Sequence, residues 1–360
     1  MLWSYFPFFI VEIAPTKETM PYFQGTFEQR CLTLGAPTSL SFFTTSFSIL
    51  LLILNIPGNV LVILAVAMDP FKNLRTPFNF LMANLAFADL IVGTMTDPIS
   101  VYIHWKEGTN AKLTLAEVRT LHMSYFISCT ASVLSLATLA VERYLAIRNP
   151  HTYRNKFTTK RVLLTIGCIW LISLTLPFVY FEVGYITYAF IFANTAIVLA
   201  IAITGFTYSL MVRKFKMRSR STNGTTTIAN KQANVDEEPE TETSSTGIVR
   251  DGAAKWERKI TKMFLVVMVA MLCCYGPSTV FIYTMSFCES CSCDALHWFR
   301  DLQFLFVILN SSVNFYCYAL RSPRFRNAFA YILRIKRGEA REPGSNSGSK
   351  ATGSSGDTNL

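Results

Sequence analysis

The sequence predicts an all-α fold: a seven-transmembrane helix bundle followed by a short amphipathic eighth helix. Three observations predict it. Of the 360 residues, 51% are hydrophobic and only 16% charged, where a soluble domain carries about 25% charged residues. Apolar stretches recur at 42–68, 77–103, 117–146, 161–181, 185–212, 260–286 and 295–320, each long enough to cross a bilayer core of about 30 Å. Basic residues then gather on alternate connections. Lys72 and Arg75 follow the first span, and Arg148, Arg154, Lys156, Lys160 and Arg161 follow the third. Arg213, Lys214, Lys216 and Arg218 with Lys255, Arg258, Lys259 and Lys262 flank the connection after the fifth. The other connections hold mainly Lys106, Lys112 and Arg119. By the positive-inside rule the N-terminus is outside and the C-terminus cytosolic. The net charge of +10 follows from these topology determinants and does not call for nucleic acid.

Residues 1–41 form an extracellular N-terminal segment, and 42–320 the seven-helix domain. In the second span Asp89 is a carboxylate mid-way along an apolar helix, which needs a partner or hydration. The third span opens on Thr114-Leu-Ala-Glu117, the spacing of a capping box. It carries Ser132 mid-way and ends in Glu142-Arg143-Tyr144, an ionisable pair where the helix meets water. Residues 219–254 are Ser/Thr-rich with the acidic run Asp236-Glu-Glu-Pro-Glu240, and are predicted to be a disordered cytosolic loop. Pro277 interrupts the sixth span and predicts a kink. Ser322-Pro323 reads as an N-cap with Pro at the first helical position. Phe325, Ala328, Phe329, Ile332 and Leu333 then share one face, with Arg324, Arg326, Arg334 and Lys336 around it. An amphipathic helix over 321–337, lying on the inner leaflet lipids, is expected. Residues 338–360 form a disordered cytosolic tail, and its Thr358-Asn359-Leu360 fits a carboxylate motif for a PDZ protein. Cys129, Cys168, Cys273, Cys274 and Cys317 fall inside apolar runs as packing residues. Cys31, Cys288, Cys291 and Cys293 fall outside them, in an oxidising compartment. One bridge within 288–293 and a second from Cys31 to that loop are expected, and Cys31 could pair with any of the three.

The motifs stand in a fixed order along the chain. They are Gly58-Asn59, Leu85-Ala-Phe-Ala-Asp89, Glu142-Arg-Tyr144, Trp170, Tyr208, Cys274-Tyr-Gly-Pro277 and Asn314-Phe-Tyr-Cys-Tyr318. With these the chain resembles class A (rhodopsin-like) G-protein-coupled receptors over 45–335. The resemblance implies a non-enzymatic plasma-membrane receptor with no catalytic residues. It binds an extracellular ligand in an outer helical cavity and activates a heterotrimeric G protein by outward movement of the sixth helix. Arrestin and receptor kinases are further implied partners. The implied coupling and activation residues are Glu142, Arg143, Tyr144, Tyr208, Glu257, Pro277, Asn314 and Tyr318. Glu257 precedes Pro277 by 20 residues, about 30 Å of helix, which puts it level with Arg143 for a pairing in the closed state. The implied cavity lining is His122, Tyr125, Phe126, Cys129, Phe192, Ser278, Ile282 and Phe304. No organic cofactor is implied, but an allosteric sodium ion is, at Asp89, Ser132, Asn310, Ser311 and Asn314.

The chain departs from the family pattern in several places. Tyr275 stands at the usual Trp position, Phe315 at the usual Pro, Val118 at the usual Cys of the third helix, and Ala200 at the usual Pro of the fifth. The second outer loop, 182–186, is very short. Together with the cysteine-crowded third outer loop, these departures resemble the melanocortin, cannabinoid and adenosine branch. The melanocortin acidic cluster is not reproduced: the matching positions are Ile99, Val118 and His122, with Asp97 and Glu117 only nearby. Tyr125 occupies the place where amine receptors keep an Asp, so the mostly aromatic lining suits a lipid or small amphiphile, or a peptide.

Other classes fit less well. A transporter predicts internal repeats, and none is found. An intramembrane hydrolase needs paired groups at one depth, whereas Asp89 and Asp97 share one helix with no second membrane Asp expected, and His104, His122, His151 and His297 are not mid-span. A non-signalling decoy receptor erodes the Arg motif, but Arg143 is intact.

Overall fold

The computed structural model describes residues 27, 30, 31, 34–148, 153, 157–232 and 244–334; the side chains of 147, 207, 210–212, 214–232, 244–261, 263 and 318–321 are outside that description. The described residues form eight successive helices and no strand. These are α1 (Thr38–Met68), α2 (Pro77–Gly108), α3 (Leu115–Arg148), α4 (Thr159–Val183), α5 (Tyr185–Gln232), α6 (Ser244–Phe287), α7 (Cys293–Arg321) and α8 (Pro323–Ile332). Within α1 to α6 there is an apolar run long enough to cross a membrane. The seventh helix, α7, is 29 residues long and carries Asp294, Arg300 and Asp301 in its outer part. The seven expected spans are therefore all present as helices.

Local chemistry explains the helix ends. Thr76 caps α2 by accepting from the Asn79 N–H, with Pro77 following. The capping box of α3 forms: Thr114 Oγ1 accepts from the Glu117 N–H at 3.3 Å, and Glu117 Oε2 accepts from the Thr114 N–H at 2.7 Å. A single residue, Gly184, joins α4 to α5 with φ 83°, a backbone region that glycine enters without a Cβ clash.

α2 is not uniform. A π-helical turn at Val92–Thr96 separates Pro77–Ile91 from Asp97–Gly108. One residue added to a helix rotates everything beyond it by about 100°. The outer half consequently directs Ser100 toward Ser48 of α1, with the hydroxyls 3.2 Å apart.

α1 packs against α2 and α7, α2 against α3, α3 against α4 and α5, and α6 against α5 and α7. Leu81, Met82, Leu85, Phe126, Leu136, Met268 and Tyr275 are buried between them. Outward-facing apolar residues such as Leu164, Leu171, Val198 and Ile201 are exposed, as a lipid-facing surface requires. Trp170 of α4 donates to Asn84 Oδ1 at 2.9 Å, and Asn84 donates to Ser135 Oγ at 2.8 Å, which ties α4, α2 and α3.

Two expectations are corrected. The loop expected to be disordered over 219–254 is helical up to Gln232 and again from Ser244; 233–243 are outside the described residues. Extending an existing helix avoids the nucleation cost, so even Ser/Thr-rich sequence can follow the register of α5 and α6. Ser322 stands at the N-cap of α8, but its side chain makes no capping bond. The helix itself ends at Ile332, short of 337. α8 buries Phe325, Ala328 and Phe329 against the bundle, and Arg324 Nη1 donates to the Asn73 carbonyl at 3.3 Å. Leu333 is exposed.

At the outer end Cys31 is bonded to Cys293 and Cys288 to Cys291. The first bond holds the segment before α1 over the start of α7, where Phe27 is buried and meets the His297 ring edge-on at 5.1 Å.

Candidate functional site

The inner end of α3 holds Arg143 in a closed arrangement. Its Nε and Nη2 both donate to the Glu142 carboxylate. The guanidinium carbon lies 4.2 Å from the centroid of the Phe78 ring, a cation–π contact. Glu142 is 0% and Arg143 5% exposed, so the pair is desolvated and neutralised within α3. Tyr153, in the connection to α4, donates its hydroxyl to Glu142 Oε1. Burial first, and then the Glu142 carboxylate, push the Tyr153 phenol well above its ordinary pKa, so it stays a donor. Tyr144 accepts from Arg148 and packs its ring against Phe206 at 4.9 Å. Tyr208 is 56% exposed and is not brought to Arg143. The side chains of Glu257 and Tyr318 are outside the described residues. Pro277 lies within an uninterrupted α6.

Half-way along the bundle, Asp89 is fully buried. Asn314 Nδ2 donates to its Oδ2 at 2.8 Å and Ser132 Oγ to its Oδ1 at 3.3 Å. Ser311 is buried, and its backbone carbonyl accepts from Asn59 Nδ2. Asn59 does not reach Asp89; its amide donates to the carbonyls of Asn55 at 3.1 Å and Ser311 at 3.3 Å. Among the described residues, the buried amide oxygens of Asn59, Asn310 and Asn314 have no hydrogen-bond partner. A buried carboxylate beside Asn314, whose amide oxygen is unmatched, offers hard oxygen ligands of the kind that fit an alkali or other hard cation.

The outer half of the bundle gathers the expected cavity residues into one aromatic cluster. Tyr125 and Phe304 have ring centroids 5.2 Å apart, Phe126 and Phe192 6.4 Å, and His122 and Phe126 6.5 Å. Cys129 and Tyr275 are both buried. Ser278 and Ile282 are buried, and the Ser278 hydroxyl has no partner among the described residues.

Comparison with known proteins points to the same class. The family described as 7 transmembrane receptor (rhodopsin family) matches residues 58–184. The octopamine receptor beta-2R of Chilo suppressalis is 24% identical over 320 residues, covering 80% of this chain and 79% of its own. G-protein coupled receptor 84 of Homo sapiens is 33% identical over 132 residues, 36% of this chain and 31% of its own. The octopamine receptor of Heliothis virescens is 36% identical over 148 residues, 40% of this chain and 29% of its own. The chain is similar to rhodopsin-like seven-transmembrane receptors, the family match running from within α1 to the end of α4. Such receptors are multi-pass membrane proteins that signal and do not catalyse.

Several groups in these sites escape a reading of the sequence. Tyr180, Tyr185 and Tyr188 complete the aromatic cluster: Tyr185 stacks on His122 at 4.1 Å, Tyr180 hydroxyl lies 2.9 Å from His122 Nδ1, and Tyr188 meets Phe126 at 4.5 Å. Gln303 donates to the Tyr125 hydroxyl at 2.8 Å and accepts from that of Tyr185 at 3.0 Å. A second membrane Asp was not expected, yet Asp301 lies inside α7 and is 1% exposed, with His104 Nε2 3.6 Å from it. The signal was present as adjacent charges, Arg300-Asp301, within an apolar run, where charges are seldom placed without function.

Proposed function

We propose that this receptor, with its N-terminus outside the plasma membrane, binds an extracellular ligand at the outer aromatic cluster and activates a heterotrimeric G protein at the inner end of α3. The observation that carries the reading is Arg143, buried against Phe78 and neutralised by Glu142. A guanidinium sequestered in this way is a closed state with an obvious opening: outward movement of the inner end of α6 about Pro277 frees Arg143 for a cytosolic partner. Glu257 is the proposed cross-helix partner in the closed state. Receptor kinases and arrestin follow as proposals from the same class, and a PDZ protein from Thr358-Asn359-Leu360.

For the ligand, the cluster favours a lipid or small amphiphile, with a peptide as the second reading. Aromatic rings dominate it, and its polar groups include the His122, Tyr125, Tyr180, Tyr185 and Gln303 side chains. An amine such as the one in the names of the octopamine receptors needs a carboxylate there. Tyr125 stands at that place, and Asp301 already accepts from Arg300 and Thr44. The single-residue connection at Gly184 and the bonds Cys31–Cys293 and Cys288–Cys291 support the melanocortin, cannabinoid and adenosine branch.

The test is nucleotide exchange on a panel of purified G proteins with receptor in lipid nanodiscs, with and without candidate lipids and peptides. Wild type should accelerate exchange on at least one G protein. Arg143→Ala should remove the acceleration while surface expression stays at the wild-type level. Exchange that is identical with wild type, Arg143→Ala and empty nanodiscs across the panel counts for the decoy reading.

We also propose that sodium occupies the site formed by Asp89, Ser132, Asn310, Ser311 and Asn314 and favours the closed state. Agonist affinity should then fall as sodium replaces a bulky organic cation at constant ionic strength. Asp89→Asn should abolish that dependence, and an insensitive wild type would leave Asp89 a structural residue.

A further inference from the structure

Above the aromatic cluster, α1, α2 and α7 bring together charged groups that ligand binding and G-protein coupling leave unused. His104 and Glu107 lie near the outer end of α2, and Arg300 and Asp301 of α7 face them. Asp301 Oδ1 accepts from Arg300 Nε at 2.8 Å, and its Oδ2 from Thr44 Oγ1 at 2.7 Å. Glu107 accepts from Arg300 Nη2 at 3.1 and 3.3 Å and from Ser41 Oγ at 3.4 Å. Two carboxylates against one guanidinium leave a negative charge uncompensated.

The histidine sharpens the point. His104 Nδ1 lies 2.8 Å from the Ser100 carbonyl oxygen. A carbonyl can only accept, so in the neutral ring that nitrogen carries the proton. Ser100 Oγ, 3.1 Å from the same nitrogen, is also 3.2 Å from Ser48 Oγ. The other ring nitrogen, Nε2, therefore presents a lone pair to Asp301 Oδ2 at 3.6 Å. Two acceptors facing each other in a site where His104 is 5% and Asp301 1% exposed repel unless a proton on Nε2 or a metal ion lies between them.

We infer that His104, Glu107 and Asp301 form a divalent metal site of zinc type at the outer mouth of the bundle. Their ligand atoms lie within 4.8 Å of one another. Tetrahedral zinc, with ligands at about 2.0–2.1 Å, places ligand atoms about 3.3 Å apart. The His104–Asp301 edge is close to that value, so a small inward movement of Glu107 completes three protein ligands. The ring nitrogen not used for metal is anchored on a backbone carbonyl, as in other metal-bound histidines. One imidazole among the ligands selects zinc-like ions over calcium or magnesium, which prefer all-oxygen shells. Arg300 competes with the ion for both carboxylates, and its side chain, 24% exposed, is the group that can swing outward. The bound ion would clamp α2 to α7. Phe304, its ring 6.2 Å from His104 and 5.2 Å from Tyr125, would carry that clamp to the aromatic cluster.

Direct binding tests this without any signalling readout. Full-length receptor in nanodiscs, stripped with a chelator, is titrated with Co²⁺, whose visible ligand-field bands report its coordination, and then back-titrated with Zn²⁺. One Co²⁺ should bind with tetrahedral bands and be displaced by Zn²⁺. His104→Ala and Asp301→Asn should each weaken binding on the order of tenfold or more, whereas Arg300→Gln should tighten it. His104→Cys should retain the ion and add a thiolate-to-metal charge-transfer band, which decides the matter if the alanine variant does not fold. No Co²⁺ bound by wild type, binding unchanged in both His104→Ala and Asp301→Asn, or no charge-transfer band in His104→Cys would overturn the assignment.

Discussion

Tyr153 links the connection between α3 and α4 to the Glu142–Arg143 pair. Its hydroxyl satisfies Glu142, and Glu142 in turn holds Arg143. Replacing it with Phe keeps the ring, whose centroid is 5.0 Å from that of Phe157, and removes only the donor. A hydrogen bond to a charged group contributes about 1.5–3 kcal/mol when buried. Tyr153 is partly exposed, so about 1 kcal/mol is a fairer figure, equivalent to a roughly fivefold population change. Tyr153→Phe should therefore raise ligand-free nucleotide exchange several-fold at matched receptor density; unchanged basal exchange would mean that the hydroxyl does not hold Glu142 in place. At this scale the sequence discloses residues that carry motifs, such as Asp89 with Asn314 and Glu142 with Arg143. It does not disclose Tyr153, because a loop residue has no periodicity to betray which face it shares. Arg300 and Asp301 are legible as charges in an apolar run, but their partners are not. His104 and Glu107 reach them only because of a helix irregularity that hydropathy cannot register.

That irregularity belongs to the helices. The π turn at Val92–Thr96 adds a residue without changing how apolar α2 is, so span lengths come out right while the outer faces do not. The packing of α1 on α7 has a clearer sequence origin. Phe315 stands where the family has Pro, and its ring lies directly against Gly58 of the Gly58-Asn59 motif. A Cβ at Gly58 would fall 2.6 Å from Phe315 Cγ and 2.9 Å from its Cβ, atoms too near the backbone of α7 to swing aside. Gly58→Ala should therefore separate α1 from α7 and cost about 1–3 kcal/mol, read as a lower melting temperature of purified receptor. Adding Phe315→Leu should restore most of the loss. Equal melting temperatures for Gly58→Ala and wild type would mean that the two helices adjust freely. The large Phe and the absent side chain thus form one compensated pair, which neither the Gly58-Asn59 motif nor the Phe315 departure discloses alone.

At the scale of the whole molecule, spans and order follow from length and hydropathy, because in a bilayer every backbone group must be satisfied within its own helix, whereas the loop expected at 182–186 contracts to Gly184 alone. Disulfide connectivity does not follow, since four cysteines permit several pairings and only the folded outer surface selects one. The two bonds should differ in importance. Cys288–Cys291 spans a sequence separation of 3 and stiffens one loop, whereas Cys31–Cys293 spans 262 and joins the segment before α1 to the start of α7. Chain-entropy arguments assign 2–4 kcal/mol to a typical bond and more to a longer loop. That is an upper bound here, because membrane helices persist when the bundle comes apart. The larger loss comes from undocking: without the bond, nothing covalent keeps Phe27 against His297 or Cys31 buried above the charged cluster of α7. A Cys31→Ser, Cys293→Ser double variant should consequently melt several degrees lower than wild type, while Cys288→Ser with Cys291→Ser should melt close to it. Pairing the substitutions avoids leaving a reactive thiol, and non-reducing peptide mapping of surface-expressed receptor checks that the remaining bond is intact. If the Cys288/Cys291 variant proves the less stable of the two, the loop is the keystone of the outer surface and the docked N-terminal segment is dispensable.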